Sequence, residues 1–147
     1  MPAKLVKQGH YILGDKPPCG TNGLATCVGL AINHDDEWFI AHIDCAALVK
    51  TKKDPMWQKV AKWVSDELQR TMSACYPNYQ VNIVGGLNDF SAQAIADGIA
   101  AWVAGKVNIS RIEWDGFEVT ADGKLGKLTH EANNDFGDGT FSVPANP

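Results

Sequence analysis

Apolar side chains recur every three or four positions after Asp54-Pro55. Trp57, Val60, Ala61, Val64, Leu68, Met72 and Cys75 fall on one face, with Lys59, Lys62, Asp66 and Arg70 on the other. That spacing predicts an amphipathic helix. Asp54 can accept a bond from a free backbone N–H at its start, Pro55 suits the first turn, and Pro77 stops the run. A second helix is predicted after Asn88 or Ser91, either of which can cap it. Its apolar stripe is Ile95, Ile99, Trp102 and Val103, and Gly105 follows its end.

Around these helices the pattern changes to alternation and short apolar runs. Residues 11–13 read as a short strand. Asp15-Lys16-Pro17-Pro18 is turn chemistry, and residues 20–23 continue that loop. Residues 24–33 are apolar at nearly every position, which fits either a short helix running into a strand or one buried strand. The polar group Asn33-His34-Asp35-Asp36 predicts a hairpin turn into a strand at residues 38–44. On that strand Trp38, Ile40, His42 and Asp44 share one face. Further strands are predicted at 79–84, ending in Gly85-Gly86, and at 107–114. A tight turn at Asp115-Gly116 then leads back through 117–120. Asp122-Gly123 turns the chain into 125–130, and 140–143 is an edge strand after a polar stretch. Strands at both ends with two helices between them give an α+β fold in one domain, residues 1–147.

Composition narrows the function classes. A net charge of -4, with no basic block, argues against a nucleic-acid or anionic-membrane binder. No apolar run approaches the roughly 20 residues a membrane helix needs. The N-terminus lacks the apolar centre of a signal peptide, so a cytoplasmic protein is expected, although a bacterial effector exported without a cleaved signal has the same pattern. Cys19, Cys27, Cys45 and Cys75 show no short zinc-type spacing with each other or with His42, so no metal or other cofactor is expected. Disulfides are not expected either, because no export signal points to an oxidising compartment. Cys75 reads as core.

The chemistry concentrates in residues 20–45. Cys27 begins an apolar run just after Gly20-Thr21-Asn22-Gly23, and His42 lies inside the next strand. A thiol needs a base to become a nucleophile near neutral pH, and imidazole is the usual one. Backbone N–H groups of the glycine-flanked turn, with Asn22, Gly23 and Thr26 beside the thiol, can hold an oxyanion. A helix beginning at Leu24 would add its N-terminal dipole. A paired Cys27 should then have a pKa below the free value of about 8.5 and alkylate faster than the other cysteines. Two residues can orient His42: Thr21, whose hydroxyl can accept from the far ring nitrogen, or Asp44, which alternatively binds the substrate's amino or amide group. Gly85 and Gly86 end a strand where bare backbone lets a substrate or the catalytic loop approach. Trp63, at the flank of its stripe, is a candidate partner surface.

Ala25-Thr26-Cys27, His42-Ile43-Asp44 and the stretch Asn82-Ile83-Val84-Gly85-Gly86-Leu87-Asn88-Asp89-Phe90-Ser91 follow one another in this order. The series resembles the cysteine deamidase superfamily of the protein N-terminal asparagine amidohydrolases, the chemoreceptor glutamine deamidases (CheD) and the cytotoxic necrotizing factor toxins. In the chemoreceptor glutamine deamidases a threonine stands six residues before the cysteine and the histidine lies on a following strand, a pattern that Thr21, Cys27 and His42 match. The resemblance covers about residues 20–104. It implies a layered α/β/β sandwich with the site at one edge, and hydrolysis of a Gln or Asn side-chain amide, carried by a protein, through a Cys27 thioester. Oligomeric state stays open. Two other readings remain: a non-catalytic binding or regulatory domain on the same scaffold, and a cysteine peptidase.

Overall fold

The computed structural model describes residues 3–130 and 133–147, and within them the chain forms two helices and eleven strands. The sequence opens with β1 (Lys4–Leu5), β2 (His10–Asp15), β3 (Cys19–Asn22), β4 (Val28–His34) and β5 (Glu37–Cys45). Helix α1 (Pro55–Met72), β6 (Gln80–Val84) and α2 (Phe90–Val103) follow. The chain ends with β7 (Ile109–Ile112), β8 (Gly116–Val119), β9 (Leu125–Lys127), β10 (Gly139–Thr140) and β11 (Ser142–Val143).

The strands build two sheets. The large one runs β10-β2-β5-β4-β6-β7, with β11 added in parallel beside β5; the small one runs β1-β3-β8-β9. Alternation along the central strands sorts the large sheet's two faces. Leu30, Ile32, Phe39, Ala41 and Ile43 face α1 and α2, forming one core with Val60, Val64, Leu68, Ile95 and Ile99. Ala31, Trp38 and Ile40 face the small sheet and pack with Val6, Cys19, Phe117 and Val119. The result is an α+β sandwich of three layers, helices on a large sheet on a small sheet. No helix among the described residues is long and apolar enough to cross a membrane.

Helix α1 has the predicted cap: Asp54 accepts from the Met56 N–H at 2.9 Å, an interaction worth about 1 kcal/mol. Its buried residues are Trp57, Val60, Ala61, Val64 and Leu68, and Cys75 is buried just beyond its end. Helix α2 is capped by Asp89, which accepts from the Ala92 N–H at 2.7 Å, and not by Asn88 or Ser91. Ser91 sits inside the first turn and instead donates to the Ala47 carbonyl. The Trp57 indole donates to Asp97 at 2.7 Å and ties the two helices together. Trp63, expected as a partner surface, is half-buried with its ring edge-on to Phe141 of the C-terminal segment.

Two local expectations change. Residues 20–22 are strand rather than loop: Thr21 pairs with Phe117 and Asn22 with Gly116 across the small sheet. The turn at Asp115-Gly116 does not close a hairpin. Strand β7 pairs in parallel with β6 in the large sheet, whereas β8 lies in the small sheet between β3 and β9, so the chain crosses layers there. Apolar alternation marks both segments as strands but carries no information on which sheet each joins.

Candidate functional site

His42 occupies the middle of the large sheet. It pairs with Gly29 of β4 on one side and His10 of β2 on the other. Its side chain shares the face of Trp38 and Ile40, which turns it toward the small sheet, and only 2% of it is exposed. Gly29 has a packing reason opposite it: a Cβ there would come within 2.8 Å of Leu24 and 2.9 Å of Phe117. Both side chains fill the gap between the sheets beside His42.

Thr21 of β3 meets His42 across that gap. Its Oγ1 lies 2.8 Å from Nδ1 and donates to the Val6 carbonyl, also at 2.8 Å. A hydroxyl has one proton, and a carbonyl can only accept. The Thr21 proton is therefore committed to Val6, and Nδ1 must be the donor to Oγ1. This fixes the neutral tautomer, with Nδ1 protonated and Nε2 carrying the lone pair. Nε2 is buried and has no hydrogen-bond partner. Of the two residues open as orienters of His42, Thr21 has the contact.

Cys27 lies on the same side of the sheet. It belongs to the packed cluster between the sheets with Ala31, Ile40 and Val84. Residues Val28 and Ile43 are paired, as are Gly29 and His42. Continuing that register one step places Cys27 opposite Asp44 and diagonal to His42, on their shared face. A slip of one residue, which would aim Ile43 at the thiol, is excluded, because Ile43 packs against the helices. A thiol–imidazole hydrogen bond is not formed in this structure, since Nε2 has no partner.

The local backbone differs from one expectation. No helix begins at Leu24; residues 25–27 form a bend before β4, so a helix dipole does not act on the thiol. The Gly23 N–H is taken by the Asn22 side chain and the Leu24 N–H by the Asp115 carbonyl. Among the described residues, the N–H groups of Ala25, Thr26 and Cys27 make no hydrogen bond. The unpaired backbone donors beside the thiol are therefore those of the bend, whereas the sequence points to the Gly20–Gly23 stretch.

A cleft of about 380 Å³ opens at Cys27, lined by Thr26, Asp44, Asp89, Ser91 and Ser142 among others. His42 does not line it and lies buried. Wider depressions elsewhere, such as the one of about 540 Å³ beside Lys52, Trp57 and Arg111, are lined by no cysteine. Asn22 and Gly23 lie outside the cleft, in the small sheet and at its edge. Gly85 and Gly86 are outside it too. Gly85 has φ +133°, and a Cβ there would stand 3.0 Å from the Cys27 carbonyl oxygen. Its bare backbone thus lets the Cys27 loop pack closely against the end of β6. Asp89, Ser91, Ser142 and Gln8 are cleft residues to which the sequence pattern assigns no place in the site, because three separate segments bring them together.

Burial governs the electrostatics. It pushes the His42 imidazole from its ordinary 6.5 down to about 4, opposed by the charge of Asp44. It pushes the Cys27 thiol up, helped by the Asp44 and Asp89 charges and opposed by the Thr26 hydroxyl. The expected lowering of the thiol pKa is therefore reversed: desolvation disfavours the thiolate, and the neighbouring charges are mainly negative. The resting pair is a neutral thiol and a neutral imidazole. All four cysteines are free, and burial holds Cys19 up at about 12. Among the described residues, no three His, Cys, Asp or Glu side chains are grouped to hold a metal ion.

No family model matches the chain, and no curated protein matches it.

Proposed function

We propose that the chain is a cysteine amidohydrolase that converts a Gln or Asn side-chain carboxamide, carried by a protein, to the carboxylate. One observation carries the reading. The Val6–Thr21–His42 hydrogen-bond chain fixes a buried histidine in the tautomer that leaves Nε2 an open proton acceptor, on the sheet face that carries Cys27. Nε2 makes no hydrogen bond to another protein group, so its lone pair can take a proton.

The reaction needs no preformed thiolate. Cys27 Sγ attacks the carboxamide carbon while its proton passes to His42 Nε2, and the C=O electron pair moves onto oxygen. The free N–H groups of the 25–27 bend receive that oxyanion. On collapse the C–N bond breaks, the nitrogen takes the proton from His42, and ammonia leaves. Water then attacks the thioester, giving a proton to His42 that returns to sulfur as the C–S bond breaks. The sum is amide plus water to carboxylic acid plus ammonia. An imidazole held near pKa 4 is a modest base, but a strong acid once protonated, which suits protonation of the poor nitrogen leaving group.

The second reading, a non-catalytic binding domain on this scaffold, draws on the raised thiol pKa and the absent thiol–imidazole hydrogen bond. Turnover separates the two. Purified chain incubated with a mixture of Gln- and Asn-containing peptides and proteins should produce Glu or Asp, read by mass spectrometry, and Cys27→Ser should not. Equal conversion by both forms would overturn the proposal.

A further inference from the structure

Asp44 is the polar group nearest in register to Cys27, and it is incompletely satisfied. Its Oδ1 is buried without a hydrogen-bond partner. Its Oδ2 accepts from the Gln8 side-chain amide at 3.3 Å, and Gln8 and Cys27 line the same cleft. The resting cleft therefore already holds a primary carboxamide, the chain's own, with its NH₂ on Asp44. We propose that Asp44 is the seat for the NH₂ of the substrate carboxamide and that Gln8 occupies this seat until substrate displaces it.

The chemistry of the group fits. A primary carboxamide nitrogen has two N–H donors. Asp44 offers acceptors for them, and His42 Nε2, two residues along the same strand face, is a further acceptor that must later give the nitrogen its proton. Two acceptors sharing one NH₂ stand about 5 Å apart, given N···O distances of about 2.9 Å. Side chains two apart on a strand start about 6–7 Å apart and can converge to that. An ester has no N–H, and a secondary peptide amide has one, so this seat favours deamidation over peptide cleavage. A carboxylate product meets Asp44 as like charge and is expelled. Asp44 Oδ1 is closed from solvent with the Gln8-Gly9 turn against it, so a substrate NH₂ reaches it by displacing that turn. Gly9, at φ +72°, packs against Asp44, where a Cβ would stand 3.2 Å from Oδ1.

The inference rests on the amidohydrolase reading, but its test does not need turnover. Propionamide, the end of a glutamine side chain, is titrated into heavy-nitrogen-labelled protein, and the Gln8 side-chain NH₂ resonances are followed. They should move saturably toward those of a solvated glutamine. N,N-dimethylpropionamide, which has no N–H, should leave them in place. Gln8→Ala, followed through the Cys27 and Asp44 backbone amides, should bind propionamide about three- to tenfold more tightly, because the internal competitor is gone. Asp44→Ala should weaken binding at least about tenfold. Unmoved Gln8 resonances, equal effects of the two amides, or unchanged binding in Asp44→Ala would each overturn the proposal. Carboxamide binding without turnover would count against the Cys27 chemistry alone, and turnover without this binding would count against the seat alone.

Discussion

The hydroxyl oxygen of Thr21 lies 2.8 Å from His42 Nδ1 and joins the small sheet to the large one. Thr21 is completely buried, so no water can replace it. Thr21→Val keeps the shape and removes the acceptor, leaving a buried N–H unpaired at a cost of about 1–3 kcal/mol. Urea unfolding should register that loss. Turnover should fall by about tenfold or more as the tautomer is released, and Thr21→Ser should recover most of both.

His42 makes stability depend on pH in a defined window. Its folded pKa of about 4 lies below the ordinary 6.5, so between those values the unfolded chain binds more protons than the folded one. The contribution of this group is complete above pH 6.5 and is lost as pH falls toward 4, by up to about 3 kcal/mol. Denaturant unfolding across that range should show the slope, and His42→Gln should flatten it. The rate per folded molecule should hold down to about pH 4, where the base becomes protonated. An acid limb near 6.5 would mean that the imidazole is hydrated.

Adjacent glycines should respond differently to alanine. At Gly85 the positive φ and the 3.0 Å approach to the Cys27 carbonyl leave no room, so Gly85→Ala should cost about 1–3 kcal/mol and displace the bend at residues 25–27. At Gly86 the obstacle is the Asn88 side chain, which can swing away. Gly86→Ala should be nearly neutral by thermal unfolding.

The four cysteines sort by position. Cys27→Ser should abolish turnover with little change in stability. Cys45→Ser should preserve the chemistry, since its thiol, although it lines the cleft, lies at the helix-side core and bonds the Ala47 carbonyl. Cys19 and Cys75 are fully buried, and replacing either by Ala should lower the melting temperature while leaving the rate per folded molecule intact. Alkylation of Cys27 without substrate should be slow near neutral pH, because burial raises its pKa.

Much of this was legible in the sequence because it is periodic or local. The stripe from Trp57 to Leu68, the hairpin at Asp35-Asp36 and the shared face of His42 and Asp44 all follow from spacing and turn chemistry. Thr21 could be named as an orienter of His42, but its contact depends on β3 lying over β5 in another layer, which no local pattern specifies. The cleft was less legible for the same reason. Asp89 lies between the two candidate caps, Asn88 and Ser91, and is marked by nothing of its own, and Ser142 reaches the site only because β11 adds beside β5. The thiol's raised pKa was hidden as well. It arises from burial between sheets and from Asp44 beside the thiol, whereas the glycine-flanked turn pointed to free backbone N–H groups and left open whether a helix or a strand followed.

The most direct test of Cys27 as nucleophile and His42 as its base is to trap the covalent intermediate. Chain reacting with a converted Gln or Asn peptide is quenched in acid and mapped by mass spectrometry, in ordinary and in heavy-oxygen water. The account predicts an acyl group on the Cys27 peptide alone, ammonia release, and one heavy oxygen in the product carboxylate. In His42→Ala the adduct should form about 10²–10⁴-fold more slowly. Conversion that proceeds with no adduct on Cys27, or at an unchanged rate in His42→Ala, would contradict it.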